Sequence, residues 1–444
     1  MAVLRRAPIR GHGFVLYWME AAQRAFGNPA LEFALALARA RKRPVAVVFA
    51  LDPSGSTGTL RQHAFLLAGL AHVARGLAER GVRFSLRLGS PPEIVLGLAQ
   101  GAAAVVTDRG YLRHQRAWRA EVARRAPCAV FQVETEAVVP VELAYPKEAV
   151  NAAALRRRIQ PLLPRFLRPL PEQDPPVPSA NLPLPGPEEP VSLEVLGKME
   201  LDRSVPPLDL PAGTEAARRR LAQFLEGKLE RYHLDRNDPT RDGTSGLSPY
   251  LHFGQISPVE VARRVAEAGG PGAAAFLEEL VVRRELAFNF VFYNPQYDAF
   301  AGLPRWAQET LRRHAQDPRS ALYTLEELEE GRTHDPLWNA AQAELRTAGK
   351  IHGYLRMYWG KQFLLWTSDP EDAFRWALYL NNKYALDGND PASYAGVGWC
   401  FGLHDRPFPE RPLWGKVRPM TGAGLRGKCD PRVYIARWAQ GGSR

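Results

Sequence analysis

Up to Tyr145, short runs of consecutive apolar residues alternate with longer amphipathic stretches. Phe14–Tyr17, Val45–Leu51, Phe84–Leu88, Ala104–Thr107 and Val130–Val133 have the length and apolar density of buried strands. Between them, Pro29–Arg41, Leu60–Arg80, Pro91–Leu98 and Leu112–Arg125 read as helices. Strands alternating with helices of this length predict right-handed βαβ units, and so an α/β domain on a parallel, five-stranded, Rossmann-like sheet. No GxGxxG opens the first helix, and no GxxxxGK[ST] occurs anywhere.

The pattern changes after Leu162. The stretch "LLPRFLRPLPEQDPPVPSANLPLPGPEEP" cannot hold a helix, because each proline removes a donor and clashes with the preceding turn. Leu and Phe punctuate it, which favours an ordered extended connection over a disordered linker. After Thr214 nearly everything reads helical, starting with an amphipathic Glu215–His233. Ser257-Pro258-Val259-Glu260 is a capping box with proline at the first helical position. Asp335-Pro336 and Asp369-Pro370 repeat the same kind of start, and a turn-rich tail is predicted from about Asp387. The division that follows is residues 1–160 as the α/β domain, 161–213 as a proline-rich connection and 214–444 as an all-α domain.

Length and charge sharpen this reading. At 444 residues the chain exceeds one compact core. Its formal net charge is +11, which makes a polyanionic partner worth considering, although an Arg-rich set of solvated helix faces explains the same excess. From His404 to Arg444, nine Lys and Arg face three Asp and Glu, a local imbalance that favours phosphate contact more strongly. Cys128, Cys400 and Cys429 form no metal or disulfide spacing, so no metal site is expected and a reducing compartment suits them. The opening residues lack the apolar stretch of a signal peptide, and no apolar run spans a membrane. A cytoplasmic, monomeric protein is the expectation.

Three segments carry candidate chemistry. Thr244-Ser245-Gly246-Leu247-Ser248 leads into a helix predicted to begin at Pro249. Hydroxyls, free N–H groups and a positive helix end suit a phosphate, although an ordinary Ser cap after a Gly turn accounts for the segment by itself. Trp338, Trp359, Trp366, Trp376 and Trp399 are interleaved with Tyr323, Tyr354, Tyr358 and Tyr379. Trp359 and Trp366 are seven apart and share a helix face. Core packing explains such residues, and an electron-hopping relay or a base-stacking surface is the sharper alternative. The third segment, "LYLNNKYALDGNDPASYAGVGWCFGLHDRPFPERPLWGKVRPM", joins Asn381, Asn382 and Asp387 to aromatics and basic residues.

Taken together, the motifs resemble the class II cyclobutane pyrimidine dimer photolyases of the photolyase–cryptochrome superfamily. The resemblance covers nearly the whole chain. It rests on "YWM" at Tyr17–Met19 with Gln23-Arg24, "RNDP" at Arg236–Pro239, "LSPYLHFGQIS" at Leu247–Ser257 and "EELVVRREL" at Glu278–Leu286. "GYLRMYWGKQFLLWT" at Gly353–Thr367, "LNNKYALDGNDP" at Leu380–Pro391, "GLHDR" and "ERPLWGKVR" extend it. The chain departs from that pattern at Asn28-Pro29, Asn382, Ala385 and "RPFPERP" at Arg406–Pro412.

The resemblance implies an α/β antenna domain, a wrapping connection and a helical domain holding FAD, with a second antenna chromophore of deazaflavin or folate type. It implies that Tyr232, Leu247 and Ser248 hold the ribityl–phosphate part of FAD, that Arg356 and Asp387 hold the isoalloxazine region, and that Asn381 faces flavin N5. Glu279 would contact the dimer and, once buried, hydrogen-bond or protonate it. Trp399 would pack against the dimer, while Arg236, Arg406, Arg411, Lys416 and Arg418 would border the duplex opening. Trp359, Trp338 and Trp366, ending at Tyr323, would relay electrons to the flavin. The implied activity is light-driven repair of pyrimidine dimers in double-stranded DNA, a carbon–carbon lyase reaction on a flipped-out lesion. A cryptochrome-like photoreceptor without repair is the alternative, and the short segment after Arg418 favours repair. A non-catalytic nucleic-acid binder would leave "LSPYLHFG" unexplained.

Overall fold

A computed structural model describes residues 1–422, 424 and 429–439. The chain divides into two compact units. The first comprises Met1–Pro140, Leu162–Gln223 and Gly246–Glu267; the second comprises Val141–Pro161, Phe224–Ser245 and Ala268–Arg444.

The first unit is an α/β domain. Its strands are β1 (Ala2–Arg5), β2 (Phe14–Met19), β3 (Val45–Leu51), β4 (Arg83–Leu88), β5 (Ala102–Asp108) and β6 (Ala129–Val133), in the order β1-β6-β5-β2-β3-β4. Five are parallel, and β1 joins β6 antiparallel, pairing Ala2 with Gln132 and Val3 with Phe131. The sheet therefore has six strands, one more than the pattern predicts. β1 is a four-residue edge strand with half of its residues exposed, so it carries no buried apolar run to announce it. Helices α1 (Pro29–Arg41), α2 (Leu60–Glu79), α3 (Pro91–Ala99) and α4 (Arg113–Arg125) connect the parallel strands. Two apolar layers result. One packs Val15, Tyr17, Val47 and Leu86 against α1 and α2, and the other packs Leu16, Trp18, Val48 and Val105 against α3 and α4.

The proline-rich stretch is laid down on this sheet in an ordered path. Ser179 Oγ donates to the Val45 carbonyl at 2.5 Å, and Glu189 N donates to Leu86 O at 2.9 Å beside strand β4. Leu193–Lys198 forms a 3-10 turn whose Val195 and Leu196 join the core. The segment from Gly246 to Glu267 also packs here. Gly254, with φ +63°, presses its backbone so close to the Ala21 carbonyl that a Cβ would stand 1.8 Å from that oxygen. Arg24 then donates to Gly254 O at 2.8 Å.

The sheet's neighbours reverse direction between β2 and β5, the kind of switch point where open α/β sheets leave a crevice at their carboxyl ends. Asp108, fully buried at the end of β5, accepts from the N–H groups of Glu20, Ala21 and Ala22 at 2.9 Å each and from the Tyr17 hydroxyl at 2.6 Å. It thereby sets the path of the chain leaving β2. Beside it, Glu20 pairs with Arg119 at 3.1 Å, and burial pushes its carboxyl up to about 7.

The second unit is helical. After α5 (Val141–Ala144) and α6 (Ala152–Ile159), the chain passes through α7 (Leu163–Phe166) in the first unit. The predicted Glu215–His233 helix is interrupted. α8 (Thr214–Gly227) stops at Gly227, and a separate turn, α9 (Tyr232–Asp235), follows. In the first unit lie α10 (Ser248–His252) and most of α11 (Pro258–Ala268). Then come α12 (Gly270–Leu277), a π-helical turn at Glu278–Arg283, α13 (Arg284–Tyr293), α14 (Arg305–Arg313) and α15 (Leu325–Glu330). The core helices are α16 (Pro336–Ala348), α17 (Gly353–Trp366), α18 (Pro370–Tyr384) and α19 (Pro391–Cys400). Asp335, Asp369 and Asp390 each cap the helix that follows with a side-chain oxygen.

The tail is more helical than the turn residues suggest, since α19 and a closing helix at Pro431–Trp438 both lie beyond Asp387. Glycines that lower helix propensity in α19 are tolerated because tertiary packing supplies the stability. Arg426, Lys428 and Arg444 of the basic tail lie outside the described residues. Among the described residues, no helix is long and apolar enough to cross a membrane.

Asp108→Ala orphans the buried N–H groups of Ala21 and Ala22 and the part-buried one of Glu20, and is expected to cost about 4 kcal/mol in urea unfolding. Tyr17→Phe removes one donor and leaves the amides satisfied, so a cost of about 1 kcal/mol is expected.

Candidate functional site

Helix α17 organises the second unit's polar chemistry. It has apolar residues on every side, so each polar group it carries must find a partner inside the protein. Arg356 lies 3.6 Å (Nη2 to Oδ1) from Asp387 on the turn after α18. That separation is too long for a hydrogen bond, and both side chains are only partly buried, so in the protein alone the pair contributes under about 1 kcal/mol. Arg356 Nε and Asp387 Oδ1 are buried atoms with no hydrogen-bond partner. Asn381, buried on α18, donates from Nδ2 to Asn382 Oδ1 at 3.1 Å, and Asn382 also accepts from Asn389 N. Asn381 Oδ1 has no partner either. Two motifs, one on α17 and one running from the end of α18 into the turn after it, thus present three unsatisfied polar atoms, which suits a polar ligand.

The tryptophans form a continuous chain of rings. Trp359 and Trp338 stack at 6.1 Å with an interplanar angle of 7°, Trp338 meets Trp366 edge-on at 5.5 Å, and Trp366 meets Tyr323 at 5.6 Å. Trp338 Nε1 donates to Trp359 O at 3.0 Å, and Trp359 Nε1 donates to Gln342 Oε1 at 2.9 Å. The three indoles are buried and Tyr323 is half-exposed, with its hydroxyl 2.6 Å from His334 Nδ1. Core packing and a ring-to-ring path therefore coincide in the same residues.

Tyr232 is buried against Phe224 and Phe276 at 5.5 and 5.4 Å, and burial pushes its phenol up to about 12. Glu279 lies in the π-helical turn and pairs with Arg236. Its side chain remains 37% exposed, so the burial assumed for its role toward the dimer is absent from the protein by itself. Leu247 and Ser248 belong to the first unit. Leu247 is buried at the cap position of α10, and Ser248 is the exposed first helical residue, so the helix begins one residue before Pro249.

The loop after α19 carries the basic residues. Phe408 N donates to Lys416 O and Arg411 N to Gly415 O, which folds Arg406–Arg418 back on itself. Gly415, with φ +51°, lies against Thr310, where a Cβ would stand 2.2 Å from Oγ1. Arg406, Arg411 and Arg418 are exposed, and Lys416 is half-exposed. Arg418 holds Asp405 with two hydrogen bonds and reaches the Trp399 ring at 5.8 Å.

Two features escaped the sequence reading. A cavity of about 310 Å³ opens beside Thr244 and is lined by Arg241, Lys350, His352 and Arg437 together with Pro239 and the carboxylates of Asp242 and Glu344. Lys350 Nζ lies 3.3 Å from Thr244 Oγ1, which puts cations where the hydroxyls alone hinted at a phosphate. Lys350 and His352 fall between Gly349, the left-handed cap of α16, and the start of α17, a short gap whose residues carry no pattern of their own. The second is Lys361, a fully buried lysine in α17.

A family model described as DNA photolyase matches residues 15–176. A deoxyribodipyrimidine photo-lyase of Methanothermobacter thermautotrophicus is 45% identical over 430 residues, covering 97% of this chain and 95% of that protein. This chain belongs to the DNA photolyase family. DNA photorepair is the activity class that membership carries. Another relative in the photolyase family, the deoxyribodipyrimidine photo-lyase of Oryza sativa, is 43% identical, covering 96% of this chain and 87% of that protein. The photolyase fold also recurs in an archaeal photolyase of Sulfolobus tokodaii, solved with two FAD molecules. Its TM-score is 0.71 at 17% identity, with coverage of 96% and 90%.

Trp359→Phe leaves Gln342 Oε1 without its donor in the core, whereas Trp338→Phe releases a backbone carbonyl. Denaturant unfolding should show a cost of about 2–3 kcal/mol for the first and about 1–2 for the second.

Proposed function

We propose that this photolyase is of the class II type and repairs cyclobutane pyrimidine dimers in double-stranded DNA with FAD as its cofactor. The observation that carries the reading is that α17 bears both Arg356, at the unsatisfied polar cluster, and Trp359, the inner end of the ring chain to Tyr323. A flavin suits the unsatisfied atoms. Arg356 and Asp387 offer a donor and an acceptor to its pyrimidine edge, and the Asn381 amide offers a neutral oxygen to N5. Within the second unit Tyr232 would hold the ribityl–phosphate part, and the cavity at Thr244, with Arg241, Lys350 and Arg437 on its walls, suits the phosphates. Bound and reduced, FAD supplies on excitation the electron that splits the dimer's carbon–carbon bonds.

The remaining work belongs to this chain's residues. Trp359, Trp338 and Trp366 pass an electron inward from Tyr323. Trp399 stacks on the extruded lesion, and Glu279, once shielded by it, hydrogen-bonds the pyrimidine. Arg236 orients Glu279, while Arg406, Arg411, Lys416 and Arg418 contact backbone phosphates. In the first unit, Glu20 Oε1, Gln23 Oε1 and Thr135 Oγ1 are buried without partners near the sheet's carboxyl ends, which suits a deazaflavin- or folate-type antenna there. The high identity to photo-lyases over nearly the full chain favours repair over a signalling role. We infer a monomer acting in the cytoplasm.

Purified protein should restore dimer-containing oligonucleotides under blue light and not in the dark. Arg356→Ala should melt within a few degrees of the parent and yet purify with its flavin absorbance largely lost; a full flavin complement would remove Arg356 from the site. Trp399→Ala should weaken damaged duplex selectively, by about 1–3 kcal/mol. Lys416→Ala should weaken damaged and undamaged duplex alike and lower the salt slope by about one unit. Titration of both duplexes across salt concentrations separates the two effects.

A further inference from the structure

The indole expected to meet the lesion is flanked by two cations. Lys361 is fully buried, donates from Nζ to the Cys400 carbonyl at 2.9 Å, and stands 4.9 Å from the Trp399 ring centroid and 5.8 Å from that of Trp414. Arg418 approaches Trp399 at 5.8 Å. Lysine is almost never fully buried unless it is paired. The carboxylate acting on Lys361 is Asp405, and both of its oxygens are engaged by Arg418 at 2.8 and 3.0 Å. The ammonium is thus held by one carbonyl and two indole faces. Space-filling does not require the charge, because methionine would occupy a similar volume.

The relay rings have a different environment. Trp359, Trp338 and Trp366 are surrounded by one another, Phe363, Tyr323 and His334. Among the described residues, no lysine or arginine lies over any of the three. The contrast matters because an indole that gives up an electron becomes positively charged. A cation against its face stabilises the neutral ring and repels the oxidised one, most strongly where water is excluded.

We propose that Lys361 is a positioning residue that holds the Trp399 ring and guards it against oxidation, so that photoreduction draws its electron through Trp359. This rests on the flavin reading above. In the guarded step one electron would leave the Trp399 indole for the excited oxidised flavin. The indole would remain as a cation radical, with no bond or proton moved. Such a hole beside the lesion would divert the electron path into the substrate pocket, whereas Trp359 passes its hole outward to Trp338.

Burial lowers the Lys361 ammonium to about 8, so it is charged at neutral pH and neutral by pH 9. The groups facing it are the Cys400 thiol of α19, which burial pushes up to about 11, and Asp405 and Arg418 beyond that helix. The guard should therefore fail as pH rises through about 8.

Flash excitation of the flavin-loaded Trp359→Phe protein, followed by transient absorption of indole radicals, tests this. At pH 7 little radical should form. At pH 9, or on adding Lys361→Met, the yield should rise at least tenfold, and adding Trp399→Phe should abolish that rise. Lys361→Arg should stay low at both pH values. Independently of the flavin, the Trp399 contribution to emission, taken as the difference from Trp399→Phe protein, should change near pH 8 and lose that change in Lys361→Met. Equal radical yields with and without the lysine charge overturn the proposal, as does a flat emission titration. If Trp359→Phe protein photoreduces like the parent through a residue other than Trp399, the relay reading fails, and the emission titration still decides the contact.

Discussion

Much of the second unit depends on the burial of α17. With α16, α18 and α19 packed around it, water is kept from most of its polar groups, and these take defined partners inside the protein. Trp359 Nε1 takes Gln342, Lys361 takes the Cys400 carbonyl, and Gln362 takes the Met420 carbonyl at 3.2 Å. Tyr358 takes Asp335, the cap of α16. Close approach is possible because Gly360 has no Cβ, which would stand 2.7 Å from Cys400 Sγ. The same packing leaves Arg356 Nε on α17 and Asn381 Oδ1 on α18 unsatisfied, so the helices that stabilise the unit also present unsatisfied polar atoms.

Enclosure makes the electrostatics asymmetric. On one flank of α17 the rings of Trp359, Trp338 and Trp366 meet one another and further rings, with no lysine or arginine over them among the described residues. On the other, two cations face Trp399. Charge is costly to bury, and a protein retaining an ammonium among indoles bears that cost where a neutral side chain would pack as well. The first unit solves a simpler problem with similar means. Asp108 gathers three amides and a phenol, so the chain leaving β2 turns along one path at the sheet's switch point.

The strands and helices of the first unit were legible because their signals are local. Apolar runs marked β2 to β6 within two residues, and Asp-Pro pairs marked the starts of α16 and α18. The edge strand β1 was not legible, since it pairs through its backbone and buries little. In the site, Arg356, Asp387 and Asn381 were legible only through the resemblance of long motifs, as nothing in their spacing marks a ligand. Lys350 and His352 were missed because they lie in a short gap between helices that carries no pattern, and Lys361 because a single lysine in a helical stretch looks the same whether it faces water or a closed core.

By itself, the sequence determined the alternation of elements, the helix caps, the basic tail and the family to which the chain belongs. Each of these is written in neighbouring residues or in motifs long enough to be read whole. Only the tertiary structure decided that Leu162–Gln223 and Gly246–Glu267 pack with the α/β unit. It alone brought Trp338 between Trp359 and Trp366, and it enclosed Lys361 between two indoles. These facts depend on contacts between residues far apart in the chain, which packing fixes and no local period encodes.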